Sequence, residues 1–469
     1  MANSNRGSAA PTSGRRALAL LTVLTAQFML AMDLLIVVVA LPRIQEDLGF
    51  APAALTWVLN AFGLAFGGFL LLGGRLGDIM GQVRAFRAGL VVFVLASLLG
   101  GLADTPAVLV TARVFQGIGA ALAGPSVLAL VMVMARDATE QARGMSLFIA
   151  VSSVGASAGL ILGGVLTEYL SWRWSLLINV PIGAVVVMVI GGLVSETHPK
   201  QARLDVVGAI TATHGSVALV YGFISAAENG WKSTGTIMSF AAAMILFFSF
   251  VQTERRHREP LLDLNLLRDR TRLGGLSVMA LIVGMHFALL FILVQYLQRV
   301  LGYTPLVAGL AYLPLTGTVF AISHFVPRLI GRFGSRGLLT TGSLLVAASL
   351  LGFARLGENG GYFPAVLIPL LIHAIGIALV FAPGTVAIME GIPVEHAGAA
   401  SGLLQMDQQI GGALGIAVIA SIYTFAVEPD RYVSGLPAAF GGGAMIALAA
   451  AIIAWQSIRP RISIGQPAE

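Results

Sequence analysis

Along the chain, long apolar runs are cut by short polar connectors. A hydrocarbon core of roughly 30 Å takes about 20 apolar residues in helical form. By that measure fourteen spans are predicted, near 17–40, 54–76, 86–104, 107–134, 144–167, 173–194, 206–226, 234–253, 274–298, 305–329, 337–356, 364–389, 398–424 and 436–456. An even number of spans puts both termini on one side. The connector GGRLGDIMGQVR (73–84) shows the pattern: Arg75, Asp78 and Arg84 stand among Gly74, Gly77 and Gly81, with FGLAFGGFLLL before them and LVVFVLASLLG after.

Composition agrees with the pattern. Of 469 residues, 57% are hydrophobic and only 11% charged, against about 25% charged in a soluble domain. A chain with so few charges cannot cover a water-facing surface. It has no cysteine, so disulfides and thiolate metal sites are excluded. The net charge of +6 sits in connectors, which is the pattern of membrane orientation rather than of nucleic-acid binding. One set of connectors plus both tails holds 21 of the 28 Lys and Arg residues and the opposite set holds 6, leaving only Arg113 inside a span. The positive-inside rule then places both termini in the cytoplasm of a multi-pass protein of the cell membrane. Residues 1–16 are expected to be a disordered cytoplasmic tail, and the run after them a retained first span, since Asp33 interrupts it and no suitable cleavage site follows.

An internal repeat organises the spans. GAALAGPSVLAL (119–130) resembles GIALVFAPGTVAI (376–388), and GGRLGDIMGQVR resembles VPRLIGRFGSRG (326–337), with Arg75 and Gly81 matching Arg328 and Gly334. Both pairs are offset by eight spans. The expected architecture is all-α: two six-helix bundles in parallel pseudo-repeat, 17–200 and 273–458, with two extra helices in 201–253. A cytoplasmic linker, 254–272, carries the amphipathic LLDLNLL, expected to lie along the membrane surface, and 459–469 form a cytoplasmic tail.

The residues that carry these patterns resemble the major facilitator superfamily, in particular its fourteen-helix drug:proton antiporters. LVTARVFQGIGAA (109–121) matches the family's fourth-helix motif, including Arg113, Gln116 and Gly117. WRWSLLINVPIG (172–183) matches the opening of its sixth helix. AMDLLIVVVALP (31–42) matches the first-helix motif at Asp33, Ala40, Leu41 and Pro42, and the connector matches the loop motif at Gly74, Asp78 and Gly81. The departures are Leu35 and Val38 where the family has Thr and Asn, Ile79, Gln82 and Val83 where it has basic residues, and Leu160 where its antiporter motif has proline. The resemblance implies secondary transport by alternating access.

Charged residues inside spans are costly and mark function. Asp33, Arg113 and Asp407 are the candidates for proton coupling. A carboxylate in a partly dry cavity can load a proton and release it when the cavity opens to the other side. For Asp33 the competing reading is a structural ion pair with Arg113; for Asp407 it is an acid solvated near the cytoplasmic end. Gly74, Asp78, Gly81, Arg84 and Arg143 are expected to form a cytoplasmic gate, with Asp78 latching to Arg84 or Arg143, or else a topological anchor. Gly155, Gly159 and Gly163 share one helical face and, with Gly164, are expected to pack span 5 against the other bundle. Phe28, Met29, Phe62, Phe66, Gln116, Phe287 and Phe291 are candidates for an adaptable cargo cavity. His214, His286, His324 and His373 read as lone structural histidines on apolar runs, without the spacing of a metal site.

The sequence has no phosphate-binding glycine loop, Walker lysine, HExxH or CxxC, so no catalytic set, cofactor or metal is expected and uphill work must come from an ion gradient. The expected partners are a small-molecule cargo, protons and the lipid bilayer, with the protein acting as a monomer. The leading expectation is proton-coupled export of lipophilic neutral or cationic molecules. Export of one endogenous metabolite or lipid is the alternative, and a non-transporting membrane sensor or a membrane enzyme stands behind it.

Overall fold

The structure is a computed structural model that describes residues 13–135, 137–194, 196, 205–256, 268–358, 360–390, 392, 397–428 and 431–459. In chain order the helices are α1 (Ser13–Ile36), α2 (Leu41–Leu48), α3 (Trp57–Met80), α4 (Gln82–Gly101), α5 (Pro106–Met134), α6 (Ala138–Tyr169), α7 (Trp174–Leu177) and α8 (Asn179–Leu193). After α9 (Val206–Asn229) and α10 (Thr234–Arg256) come α11 (Arg270–Arg299), α12 (Pro305–Leu310), α13 (Leu313–Ser323), α14 (Val326–Phe353), α15 (Leu367–Met389), α16 (Ala397–Ala426) and α17 (Leu436–Ser457).

Among the described residues, twelve helices are long and apolar enough to cross a membrane, and α3, bent by 51° between Leu70 and Leu72, makes a thirteenth. The apolar stretch of α9, Ile210–Ala226, is shorter. Each of the fourteen predicted segments is helical, though only twelve or thirteen reach spanning length. Five of the helices, α5, α6, α9, α11 and α12, begin at a capping Thr or Asp. Asp137 accepts from the Glu140 amide at 2.8 Å at the start of α6, and Asp269 from the Arg272 amide at 2.9 Å at the start of α11.

Two boundaries differ from expectation. The N-terminal tail gives way to helix at Ser13 rather than after residue 16, because Arg15 is anchored to the Gly192 carbonyl at 2.6 Å, beyond the apolar part of its helix. The first span ends at Ile36, not 40; a turn follows and Pro42 opens α2, since proline fits the first turn of a helix and not its interior. The amphipathic LLDLNLL (261–267), tail residues 1–12 and tail residues 460–469 lie outside the described residues.

The repeat has a backbone counterpart. Gly81 (φ 95°) separates α3 from α4, and Gly334 (φ 70°) kinks α14. These are left-handed conformations that favour glycine. Beyond each, a glycine pair brings two helices into backbone contact: a Cβ on Gly119 of α5 would lie 2.7 Å from the Gly89 carbonyl of α4, and one on Gly376 of α15 would lie 2.8 Å from the Gly342 carbonyl of α14. The packing repeats as well, α1 on α6 as α11 on α16. The α9–α10 pair rests on α3 and α16 through α9.

The sets α1–α8 and α11–α17 pack along α3 against α16, where Gly67 faces Gln409, and meet again at the end remote from Ser13. There Gln298 donates to the Val39 carbonyl at 2.8 Å, Arg299 to Gln45, and the Leu306 amide to Glu168 Oε2 at 2.9 Å. Gly164 and Gly309 complete this seam: a Cβ on either would lie within 2.8 Å of backbone, of α12 for Gly164 and of α6 for Gly309.

Candidate functional site

Asp33 and Arg113 meet in the packed interior of α1–α8. Arg113 Nη1 donates to Asp33 Oδ2 at 2.6 Å, with the carboxylate wholly buried and the guanidinium 1% exposed. Asp33 Oδ1 accepts from Asn179 Nδ2 at 2.6 Å and from Gln116 Nε2 at 3.2 Å. Gln116 Nε2 also donates to Ser97 Oγ at 2.8 Å, and its Oε1 accepts from Arg113 at 2.9 Å. Arg113 Nε reaches the Val58 carbonyl at 3.0 Å, and its guanidinium lies 4.5 Å from the centre of the Phe62 ring. Five helices thus join in one cluster, with the donors on the carboxylate itself coming from α5 and α8. A buried pair stands only when its remaining lone pairs and protons are used, and here three donors meet the carboxylate.

Arg113 also forms part of the wall of a small cavity, about 30 Å³, between the two sets of helices. Asn60 and Phe62 face it from α3, Phe287 from α11, and Gln409 and Ile416 from α16. Asn60 is wholly buried, and neither its amide nitrogen nor its oxygen has a hydrogen-bond partner. Among the described residues, no carboxylate lines this cavity. It is an apolar slot with two carboxamides, one from each set, backed by a neutralised cation.

Of the predicted cavity residues, Phe62 and Phe287 line the slot. Phe66 stacks on Phe62 at 5.9 Å, behind it, and Gln116 belongs to the Asp33 cluster. Met29 and Phe291 are buried in helix packing, and Phe28 lies against Gly155 through its carbonyl. None of these three lines the slot. Asp407 sits apart from the Asp33 cluster on α16, with a buried Oδ2 that accepts no hydrogen bond.

The gate residues are arranged differently from the predicted latch. Gln82 donates to Asp78 at 3.3 Å, while Arg84 pairs with Glu196 at 3.8 Å. Glu196 also accepts from the Val83 and Arg84 amides at 2.9 and 3.0 Å. It therefore caps α4 and holds Arg84 there, which is why Arg84 does not reach Asp78. Arg143 is exposed, and among the described residues it forms no pair with Asp78. Gly81 supplies the positive-φ turn and Gly74 faces Pro125. The glycine face of α6 is also corrected. Gly155, Gly159 and Gly163 pack on the Phe28, Met32 and Ile36 carbonyls of α1, inside their own set, and Gly164 alone crosses to α12.

The histidines are not all lone: His286 and His373 lie 3.2 Å apart, ring nitrogen to ring nitrogen. Sequence reading also missed Asn60, Ser97, Asn179 and Gln409. Asn179 stood in the quoted WRWSLLINVPIG, and Asn60 is the one carboxamide in the run WVLNAFGLAF.

Comparisons with known proteins bear on the same residues. The family model described as Major Facilitator Superfamily matches residues 23–416. An MFS-type transporter named EfpA, from Mycobacterium tuberculosis, is 37% identical over 85% of this chain and 75% of its own length. The puromycin resistance protein pur8 of Streptomyces alboniger is 34% identical over 95% of this chain and 92% of its own. Among solved structures, a peptide transporter POT in complex with sulfate superposes with a TM-score of 0.69 at 15% identity, covering 93% of each chain.

Proposed function

The chain belongs to the major facilitator superfamily, and from that premise we propose that this multi-pass membrane transporter is a proton-coupled exporter of lipophilic small molecules. The proposal includes fourteen spans, cytoplasmic termini, and two six-helix bundles (17–200 and 273–458) that rock about the cavity between them. The observation that carries it is the juxtaposition of Asp33 and the cavity. Arg113 contacts the carboxylate on one side and faces the slot on the other, so a change in either is felt by the other.

In the conformation described, the seam remote from the termini is closed and Asp33 is held as the partner of Arg113. When the bundles rock, separation of this pair leaves a carboxylate that binds a proton from the outer side. Cargo leaves in that outward-open state, and re-formation of the pair, once the outer seam has closed again, expels the proton inward. Asp407 is the second candidate for this role. The cavity chemistry favours neutral over cationic cargo, because Asp33 is already neutralised by Arg113. Asp78 and Arg143 form their latch in the opposite conformation.

The name of the Streptomyces alboniger relative supplies the first probe. Everted vesicles loaded with a pH-sensitive dye are energised and puromycin is added; substrate-dependent proton release is expected, lost in Asp33→Asn. Uptake of the probe that persists after every ion gradient is collapsed refutes the proposal.

A further inference from the structure

Away from the Asp33 cluster, a second polar chain crosses three helices within α11–α17. Ser349 of α14 donates to the Val346 carbonyl at 2.7 Å, and its Oγ lies 3.1 Å from Nδ1 of His373 on α15. His373 Nε2 lies 3.2 Å from Nδ1 of His286 on α11. Ser349 and His373 are wholly buried. His286 is half-buried, its ring 5.8 Å from that of Phe287 in the cavity wall.

Counting protons gives the chain a direction. A serine hydroxyl carries one proton, and the Val346 carbonyl can only accept, so the serine proton is committed there. Ser349 Oγ then accepts from Nδ1–H of His373. A neutral imidazole has a single N–H, so His373 Nε2 is bare and accepts from Nδ1–H of His286. Every proton in the chain points inward. The ring nitrogen left with an open lone pair is His286 Nε2, which has no hydrogen-bond partner among the described residues.

We infer that His286 Nε2 is a proton-loading site beside the cavity, held in its accepting tautomer by His373 and Ser349. This rests on the proton-coupled reading and adds to it a site in the second bundle. Loading forms one N–H bond at Nε2 with a proton from water at the part-exposed edge of the ring; the imidazolium keeps its Nδ1–H bond to His373, and release returns the proton to water on the other side. His286 carries the proton, and His373 and Ser349 are positioning residues.

The other titratable groups on the helices around the pair are separated from it or already bonded. On α11, Arg270, Arg272 and Arg299 lie at the two ends. Asp407 stands one turn before Gly411, which touches Ala280, so that carboxylate lies about 15 Å from His286 along the helix axis. On α14, Arg328, Arg332 and Arg336 lie about 20 Å or more before Ser349. The Tyr296, Tyr312, Tyr423 and Tyr432 hydroxyls donate to the carbonyls of Gly357, Leu290, Tyr432 and Ile292. His373 is the only titratable side chain of α15, and α13 and α17 have none.

The test labels histidine with ¹⁵N in the full chain in lipid nanodiscs and assigns signals by difference with His286→Gln and His373→Gln. At alkaline pH both residues are expected neutral with the proton on Nδ1, and on acidification an imidazolium signal should appear that His286→Gln abolishes. Ser349→Ala should scramble the tautomers. A neutral His286 carrying its proton on Nε2, or an imidazolium signal that survives His286→Gln, overturns the inference. Vesicle transport separates it from the reading beneath it. If the wild type moves cargo without protons, proton coupling fails as a whole. If the wild type is proton-coupled and His286→Gln keeps its proton count and pH profile, only the histidine site fails.

Discussion

Arg113 Nη1 and Asp33 Oδ2 are 2.6 Å apart with almost no exposed surface on either side chain. An exposed ion pair contributes little, whereas a buried one cannot lose one member without stranding the other charge in a medium that cannot solvate it.

Asp33→Asn is therefore expected to cost about 3–5 kcal/mol of stability by leaving Arg113 unpaired. The double variant Asp33→Asn with Arg113→Gln should recover much of that stability and none of the proton coupling. Thermal unfolding in detergent measures the first effect and vesicle proton release the second. A double variant that regained coupling would separate transport from this pair.

Asn60 poses the opposite case. An orphaned buried polar group costs about 1–3 kcal/mol, and Asn60 leaves both amide atoms orphaned. Asn60→Leu is expected to raise the melting temperature while weakening cargo binding, since a carboxamide kept at such a cost must be satisfied by the cargo. Melting curves with and without cargo decide this; equal cargo-induced shifts in both proteins would assign Asn60 to packing alone.

Glycines at backbone contacts should differ sharply from glycines facing open space. A Cβ on Gly415 would collide with the Gly284 backbone, whereas one on Gly441 meets nothing within 4 Å. Gly415→Ala is expected to destabilise by about 1–3 kcal/mol, because α11 and α16 must separate. Gly441→Ala should be neutral or stabilising by about 0.5–1 kcal/mol, the usual gain from replacing glycine in a helix. Equal unfolding temperatures for the two variants would contradict the packing described.

Acid should loosen the face remote from the termini. Asp47 accepts from Trp172 Nε1 at 2.9 Å and from Arg173 Nη1 at 2.5 Å. The hydrogen bond from Trp172, then that from Arg173 together with its charge, holds the Asp47 carboxyl below the usual carboxylate range, against a smaller opposing effect of burial. A depressed carboxyl contributes stability that is present above its unfolded value, near about pH 4, and is lost as pH falls through the folded value. The carboxylate is 46% exposed, so the effect is small. Wild type and Asp47→Asn should differ in unfolding temperature at neutral pH and converge below about pH 4; a constant gap would remove Asp47 as the cause.

Much of this was legible without coordinates. Gly81 and Gly334 mark the repeat because both stand where the chain breaks helix with a positive φ that favours glycine. Asp33 and Arg113 were identifiable singly, since a charge in an apolar run is conspicuous wherever it points. The partner of Arg84 in this conformation, Glu196, is 112 residues away and belongs to no local pattern, so it was not legible. The glycine face of α6 had the right spacing, yet spacing does not say which neighbour it meets, and the neighbour was α1.

The sequence by itself determined which runs are apolar and helical, which connectors carry the positive charge, and that two stretches recur along the chain. Partition into hydrocarbon is a sum over some twenty consecutive residues, so it can be read locally. Only the tertiary structure decided that Asn179 and Gln116 complete the shell of Asp33, that Asn60 and Gln409 face each other's bundle, and that His286 meets His373 across 87 positions. Those pairings depend on how rigid helices rotate and tilt against one another, a quantity set by the packing of all of them together and by no single stretch of chain.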